Sequence, residues 1–441
     1  MKQILLFLTA SVIGTTAIAQ DAYSLKQAID YSLQNHGSNR LYNNEVEKVR
    51  LQSKEALSAY MPQVNANVTL DDNLKRQTSI LPGAIFGQEG DVKVQFGNKY
   101  TTNAVVQLDQ TIYDQALIIG IKAGVPAKKI AELKQAKNKE ELIYNTAAAY
   151  SQILILTEQQ KLINANGQQY SELYETTRFR VEKGVAKRVD LDRVLVQLNN
   201  IKAQQKQIQS DIDVAYNSLK NAMGLAQNAK FIIEDSLNYN SYLPLSNDSY
   251  NVAELIDYQL QEQNLELQGL DVKRKQAAYL PTLSGYARYG QQAFGNELNT
   301  AMSDWNPYST IGVKLNVPLF SGRRREAQLQ QSKLELQNAK INLELNTAAL
   351  DLQFQNARRQ LAENVTNLTT NKNNMDLAKS VYETSQFEYS KGVSTMADLL
   401  NADFSYKQAQ AQYMTSLLNL VGNRLEYERA KGTITQFVAQ L

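Results

Sequence analysis

Residues 382–393 read YETSQFEYSKGV, and residues 174–185 read YETTRFRVEKGV. The two stretches share a Tyr-Glu-Thr start, a central phenylalanine and a Lys-Gly-Val end, and they lie 208 residues apart (392 − 184). Similarity at a fixed offset indicates a tandem duplication. The sequence therefore predicts two structural repeats, at 20–225 and 251–441, joined by a linker at 226–250.

A second repeated phrase lies near the opposite end of each repeat. Residues 59–62 read AYMP and residues 278–281 read AYLP. Their offset is 219, so the first repeat carries eleven more residues (219 − 208) between its proline and its glycine. The surplus predicts loops of unequal length, at about 72–102 and 291–309, and their Gly/Asn-rich composition is typical of exposed connections.

The first residues of the chain have the pattern of a secretory signal. Lys2 precedes an apolar run at 4–13, and Ala17-Ile18-Ala19 is a small-x-small triplet of the kind that signal peptidase recognises. We therefore expect residues 1–19 to be a signal peptide. Further along the chain, no stretch approaches the roughly twenty apolar residues of a transmembrane helix.

Composition excludes several classes of function. The chain has no cysteine, which removes disulfides, thiol chemistry and cysteine-ligated metals. Its one histidine, His36, lies among polar residues and is expected on the surface. The formal net charge is +2, and positive and negative residues are mixed along the chain, so no basic patch indicates nucleic-acid binding. With no phosphate-binding loop or nucleophile with a base, we expect neither an enzyme nor a cofactor.

Six stretches rich in Gln, Asn, Lys, Glu, Leu and Ala predict long helices. They are 24–60, about 115–182, 189–223, 251–279, 323–389 and 396–430. Several carry apolar residues every seven positions, the pattern of coiled-coil packing. In the last helix the repeating positions are Leu399, Tyr406, Tyr413, Leu420 and Tyr427, and in its first-repeat counterpart they are Leu191, Leu198, Gln205, Ile212 and Leu219. In the longest helix they are Leu329, Leu336, Leu343, Leu350 and Ala357. After a four-residue step, or stutter, the pattern there resumes with Leu361, Leu368, Met375, Tyr382 and Tyr389.

Between the helices the period changes from seven to two, which predicts β-strands. Alternation of apolar and polar residues places strands at about 62–72, 102–113, 282–290 and 310–320. Each has close to the ten residues that a tilted strand needs to cross a hydrocarbon core. Four strands cannot close a membrane barrel, since the smallest barrels have about eight. The chain is therefore expected to oligomerise, and strand counting alone leaves dimer and trimer open.

The chain resembles the TolC-like outer-membrane efflux proteins. The resemblance rests on the Ala-Tyr-Met/Leu-Pro corners, on the strand exit at 317–322, and on Lys-Gly-Val with a following aspartate at 183–190 and 391–398. It implies a homotrimer with a twelve-stranded outer-membrane barrel, four strands per chain, that continues into a coiled-coil α-helical periplasmic tunnel. The implied partners are outer-membrane lipid, a periplasmic adaptor protein and an inner-membrane transporter.

The resemblance also implies positions for function. It places Asp398, Asn401 and Ser394 at a narrow periplasmic gate, where converging carboxylates would attract cations. Thr395 with Asp398 also has the pattern of a helix capping box, a purely structural role. Both turns are expected to contact the adaptor protein, through Gly184, Val185, Ala186, Gly392 and Val393.

One departure from the family pattern concerns the first repeat. Its strand exit at 110–115 lacks the Pro and Gly of the second repeat, and Pro126 follows within the next helix. That helix is expected to bend or break near its start.

Two other functions are compatible with parts of the sequence. A type I secretion channel for proteins would have the same architecture as a duct for small molecules. A secreted coiled-coil stalk or adhesin would explain the heptads but not the paired amphipathic strands.

Overall fold

The computed structural model describes residues 21–87, 89–236, 238–243 and 249–441. The predicted signal peptide at 1–19 lies outside these residues. The chain divides into two compact units, and each takes residues from both halves of the sequence. The first unit comprises the residues up to Leu41, Gln135–Ile256 and Ala348–Leu441, and the second comprises Tyr42–Lys134 and Asp257–Thr347.

Helices dominate the described residues. They are α1 (Leu25–Asn35), α2 (Gly37–Ser58), α3 (Gln115–Lys122), α4 (Gly124–Glu182), α5 (Arg188–Met223), α6 (Ile256–Ala277), α7 (Arg324–Ser390), α8 (Met396–Lys431) and α9 (Ile434–Val438). None of the helices in this described part has the length and apolarity required to cross a bilayer. The 67 residues of α7 would extend about 100 Å at 1.5 Å per residue.

The first predicted helix, 24–60, is in fact two helices that meet at His36. This residue is extended, with φ −63° and ψ 133°, and its N–H still donates to the carbonyl of Ser32. The His36 ring lies 2.8 Å from the Ser38 hydroxyl through Nδ1, and the side chain is partly buried. His36 is thus at the surface, as expected, but only partly exposed, because it packs against Gly224 at the end of α5.

The predicted break near Pro126 is confirmed. Ala123 separates α3 from α4 and its N–H donates to the carbonyls of Ile119 and Ile121. Pro126 then occupies the first turn of α4, where a missing N–H costs no hydrogen bond.

The heptad seams are confirmed by burial. In α7 the predicted positions are all buried or partly buried, while most of their neighbours are exposed. Leu191, Leu198, Ile212 and Leu219 of α5 are buried, as are Leu399, Leu420 and Tyr427 of α8. Ala357 and Leu361, on either side of the stutter, are both buried. The four-residue step therefore keeps the apolar seam on one face of the helix.

The second unit contains an antiparallel sheet of four long strands in the order β2 (Gln63–Asp72), β5 (Tyr100–Tyr113), β7 (Thr282–Gly295) and β8 (Trp305–Asn316). All four predicted strands are present, but the last ends at Asn316 rather than at about 320. Pro318 has no N–H to continue the ladder with β7. β7 and β8 also extend further towards their shared loop than predicted, to Gly295 and from Trp305.

The predicted loop at 72–102 contains structure that the sequence analysis missed. It forms a small hairpin of β3 (Thr78–Pro82) and β4 (Asp91–Gln95), joined through a 3-10 turn. In the first unit, β1 (Asp21–Tyr23) pairs in parallel with β6 (Phe231–Ile233), inside the predicted linker. Phe231 and Tyr242 of this linker join the main core, where Tyr242 meets Phe437 of α9 edge-on at 6.0 Å.

Candidate functional site

The first turn, residues 183–187, connects α4 to α5. Gly184 has a φ of 72°, in the left-handed region that favours glycine. The N–H of Val185 donates to the carbonyl of Arg180 at 2.9 Å, and the N–H of Gly184 donates to that of Val181 at 3.0 Å. These two bonds form a Schellman motif, which ends α4 and satisfies its last carbonyls.

The second turn, residues 391–395, connects α7 to α8 and repeats the same geometry. Gly392 has a φ of 74°, and the N–H groups of Val393 and Gly392 donate to the carbonyls of Glu388 and Tyr389 at 3.0 and 3.1 Å. The repeated sequence thus produces a repeated backbone, and both turns leave their valines exposed, Val185 at 74% and Val393 at 78%.

A lysine lies over a phenylalanine at the start of each turn. The Lys183 ammonium is 5.4 Å from the ring of Phe179, and the Lys391 ammonium is 5.4 Å from the ring of Phe387. Both rings are more than half exposed, at 58% and 63%. Each turn therefore presents a cationic group, an aromatic ring and a valine to any partner, in matching positions.

Asp398 is exposed and takes part in the capping box at the start of α8. The N–H of Asp398 donates to the Thr395 hydroxyl at 3.2 Å, while the Thr395 N–H donates to the Asp398 carboxylate at 3.0 Å. The Thr395 hydroxyl also donates to that carboxylate. These hydrogen bonds, first that from the hydroxyl, lower the pKa of Asp398. The capping role is therefore real, and it keeps the exposed carboxylate ionised over a wider pH range.

Asn401 lies one turn after Asp398, and both line a groove between α7 and α8. The α7 side of the groove includes Leu377 and Val381, which are 67% and 51% exposed. The structure thus brings two of the predicted gate residues together on one helix face. It does not bring Ser394 to them as an accessible group, because the Ser394 hydroxyl is buried and has no hydrogen-bond partner among the described residues.

Sequence analysis missed a buried polar cluster further along α8. The Tyr170 hydroxyl of α4 donates to the Asp403 carboxylate at 2.5 Å, and the Lys407 ammonium lies 2.9 Å from the same oxygen. The ammonium also lies 3.6 Å from the centroid of the Tyr170 ring. Burial raises the pKa of Tyr170 and lowers that of Lys407.

The aspartate and lysine of this cluster occur in the second repeat but not in the first. The first-repeat positions equivalent to Asp403 and Lys407 are Leu195 (403 − 208) and Asn199 (407 − 208). An aspartate with a lysine four residues later, next to an apolar seam, was the available sequence signal. Tyr170 is 233 residues away from Asp403 in sequence, so nothing local identifies it as the partner.

The described residues offer no metal centre. No group of three or more His, Asp or Glu side chains among them has the geometry to hold an ion. The distinctive groups of the first unit are therefore the two turns, the carboxylate and amide of the groove, and the buried cluster.

Comparison with known proteins gives a consistent result across most of the chain. A family model described as "Outer membrane efflux protein" matches residues 29–225 and 257–432. The chain is 20% identical to "Outer membrane protein TolC" of Vibrio cholerae, with 99% of this chain and 97% of that protein covered. It is 23% identical to "Alkaline protease secretion protein AprF" of Pseudomonas aeruginosa, over 68% of this chain and 63% of that protein.

The fold of this chain also matches the folds of solved structures. The structure of CusC, described in terms of folding and transmembrane channel formation, superimposes with a TM-score of 0.79 at 14% identity, covering 93% of this chain and 92% of that one. VceC of Vibrio cholerae, an outer membrane protein, superimposes with a TM-score of 0.76 at 17% identity, covering 92% and 96%. The paired strands, the repeated turns and the family match together show that this chain is a member of the outer membrane efflux protein family.

Proposed function

We propose that this protein is the outer-membrane exit duct of a tripartite efflux system, through which small molecules leave from an inner-membrane pump. The observation that carries the proposal is the four-stranded sheet of the second unit. One face of this sheet is apolar and exposed to an unusual degree. Val64, Val68, Ile311, Val313 and Leu315 are all more than 60% exposed.

The register of the sheet makes this apolar face continuous. Val64 pairs with Leu108, which pairs with Ala287, which pairs with Ile311 across the four strands. Residues directly opposite one another in an antiparallel sheet share a face. In water such a patch would be an aggregation site, whereas in a bilayer it is the expected outer surface of a barrel.

The opposite face of the sheet is polar. It carries Asn65, Gln107, Arg288 and Thr310 in one row across the strands. Two tyrosines also lie flat on this face, Tyr308 against Gly290 and Tyr286 against Gly312, where any larger residue would clash. A polar face with small residues beneath aromatic rings suits a water-filled lumen.

The sheet has two open edges. In the described residues β2 pairs only with β5 and β8 pairs only with β7. An open edge in lipid leaves backbone groups unsatisfied at a cost of several kcal/mol each, so the edges must pair with other copies of the chain. A homotrimer would supply twelve strands and remove all edges, with the helices in the periplasm.

The gate is proposed at the second turn, through Asp398 and Asn401. Three exposed Asp398 carboxylates converging in a trimer would repel one another and bind cations. Ser394 would support the turn from within rather than line the passage. The two turns, with Gly184, Val185, Ala186, Gly392 and Val393, are proposed as the contacts for a periplasmic adaptor protein, because Val185 and Val393 are 74% and 78% exposed and each turn also carries an exposed phenylalanine.

A protein-secretion channel is a second candidate. The relative AprF is named for secretion of an alkaline protease, and no feature of the lumen face excludes a protein cargo. A secreted stalk is disfavoured, since a stalk has no use for a sheet with an exposed apolar face and two unpaired edges.

Transport can be tested in cells that lack their own outer-membrane duct. Expression of this chain with its cognate pump and adaptor should lower the accumulation of a fluorescent dye, measured against the same cells without the chain. Secretion of a protease with no change in dye accumulation would favour the second candidate. Accumulation and secretion both unchanged would contradict a duct.

The gate can be tested with a matched pair of variants. Asp190 is the first-repeat equivalent of Asp398 (398 − 208) and pairs with Arg193 at 3.5 Å. We expect Asp398→Asn to raise single-channel conductance and weaken block by divalent cations, and Asp190→Asn to change neither. Equal effects of the two variants would argue against a gate at the second turn.

A further inference from the structure

The segment that leaves β8, residues 317–325, has a composition that the duct itself does not require. We refer to it as the β8 exit. Its apolar side chains are strongly exposed, with Leu319 at 92%, Phe320 at 85% and Val317 at 47%. Three consecutive arginines follow, Arg323, Arg324 and Arg325, and the first two are exposed.

The three guanidinium groups have no carboxylate partner in the part of the chain that the structure describes. Arginines elsewhere in the second unit do have such partners, as Arg274 of α6 has in Asp271 at 2.6 Å. Glu326 is adjacent to the arginines in sequence but forms no ion pair with them. Three unpaired cations therefore lie next to two almost fully exposed apolar side chains.

Helix stability does not explain the arginines. Arg324 and Arg325 are the first two residues of α7, where the helix macrodipole disfavours cations. Arg323 has a φ of 62° and is, among the described residues, the non-glycine residue with a left-handed backbone. A large side chain is strained there, and glycine or asparagine would suit the turn better.

The first repeat shows that the fold can do without them. There, β5 leads into α3 through Asp114, whose carboxylate accepts a hydrogen bond from the N–H of Leu117. No cation follows until Lys122. The equivalent strand exit is thus capped by an acid in one repeat and occupied by three cations in the other. The arginines are a property of the β8 exit alone.

We propose that the β8 exit binds the phosphate headgroups of phospholipids, with Arg323, Arg324 and Arg325 contacting phosphate and Leu319 and Phe320 inserting among the acyl chains. The inference rests on the proposed function, since it requires the apolar face of the sheet to lie in a bilayer. That face runs along β8 through Ile311, Val313 and Leu315, which are 86%, 73% and 64% exposed. The β8 exit begins one residue after this strand ends.

The chemistry of the segment matches a membrane interface. Guanidinium groups form bidentate hydrogen bonds with phosphate and are weakly hydrated, so they favour lipid phosphate over bulk water. Aromatic and aliphatic side chains beside them bury their apolar parts just beneath the headgroups. A single cation near an anionic surface strengthens binding by about fivefold, so three should strengthen it on the order of a hundredfold.

The test uses the full-length protein in a neutral detergent with added lipid. Phosphatidylglycerol is titrated in while the thermal midpoint of the helical circular dichroism signal is followed, with phosphatidylcholine and inorganic phosphate as separate additions. We expect phosphatidylglycerol to raise the midpoint of the native protein. The variant Arg323→Gln/Arg324→Gln/Arg325→Gln should need at least tenfold more lipid for the same rise.

A matched control removes three charges elsewhere on the same helix. Lys333→Gln/Lys340→Gln/Arg359→Gln changes exposed residues of α7 beyond the β8 exit and should respond to lipid as the native protein does. A second variant, Arg323→Lys/Arg324→Lys/Arg325→Lys, keeps the charge and should retain most of the response. It also shows whether loss of response comes from charge or from misfolding of the turn.

The outcomes separate this inference from the proposed function. An unchanged lipid response in the glutamine variant, or an equal response to inorganic phosphate, would overturn a lipid-binding role for the β8 exit. Conductance of the same variant in a planar bilayer reports on the duct independently. Loss of lipid response with conductance intact would support the inference, whereas a native protein that never conducts would remove the proposed function itself.

Discussion

The buried cluster of Tyr170, Asp403 and Lys407 gives a prediction that can be worked out from distances and burial. Asp403 is 4% exposed, Tyr170 is 1% exposed, and the Lys407 side chain is 22% exposed. Asp403→Leu, which copies Leu195 of the first repeat, would leave an ammonium and a phenol buried without their acceptor. Breaking a buried ion pair by removing one partner costs about 3 to 5 kcal/mol. We expect a loss of this size in the free energy of unfolding of the first unit, to which all three residues belong.

Removing the whole cluster should cost much less than removing one member. Replacing a buried ion pair by apolar residues of similar size is often neutral or stabilising. The triple variant Tyr170→Phe/Asp403→Leu/Lys407→Met is therefore expected to lie within about 1 kcal/mol of the native protein. As a control, Asn199→Met alters the exposed first-repeat counterpart of Lys407 and should change stability by less than about 0.5 kcal/mol.

The penalty should also depend on pH. Burial lowers the pKa of Lys407, while the charge of Asp403 opposes this shift. The folded state then holds the Lys407 proton less tightly than the unfolded state, so stability rises with pH between the folded pKa and the ordinary lysine value of about 10.4. Without Asp403 the pKa of Lys407 in the folded state falls further, so the pH range over which stability rises extends to lower pH. The loss caused by Asp403→Leu should therefore shrink as pH rises from 7 towards 10.

The assay is chemical unfolding of the detergent-solubilised protein, followed by circular dichroism at several pH values. A triple variant that loses as much stability as Asp403→Leu alone would refute the view that the three groups compensate one another. So would a penalty for Asp403→Leu that is the same at pH 7 and pH 10.

Three further outcomes are expected. Gly392→Ala should destabilise the second turn by about 1 to 2 kcal/mol because φ is 74° there; an unchanged unfolding midpoint would show that the turn does not need glycine. Thr395→Val removes the hydroxyl that lowers the pKa of Asp398, so the midpoint of conductance against pH should move upwards, and no movement would separate the carboxylate from conduction. Glu428→Gln should cost about 3 to 5 kcal/mol in unfolding experiments because its partner Arg424 is buried with it, both side chains being 7% exposed; a loss below about 1 kcal/mol would show that Arg424 finds another partner.

The sequence predicts this fold well where the information is local. Heptads such as Leu399 to Tyr427 depend only on neighbouring turns of one helix, and all of these positions are buried or partly buried. The strands were recognisable because alternation is a two-residue pattern, and Pro318 could have corrected the end of β8. The repeated Lys-Gly-Val corresponds to a repeated turn, in which Gly184 and Gly392 both have a left-handed backbone.

Other features were hidden for physical reasons. The hairpin of β3 and β4 consists of strands of five residues each within a stretch rich in turn-forming residues, too short for alternation to stand out. The break at His36 had a signal in Gly37, the first residue of α2, which a long polar helix pattern outweighed. The contacts of Tyr170 and of the β1–β6 pair join residues about 200 apart, and no local rule predicts such partners.

The proposed duct requires the apolar face of the sheet to lie in lipid around a lumen, and electrical recording tests this directly. Purified protein added to a planar bilayer should produce discrete current steps, with larger steps for Asp398→Asn than for Asp190→Asn. A protein that inserts yet carries no current under any voltage, in both variants as well as in native form, would contradict the duct.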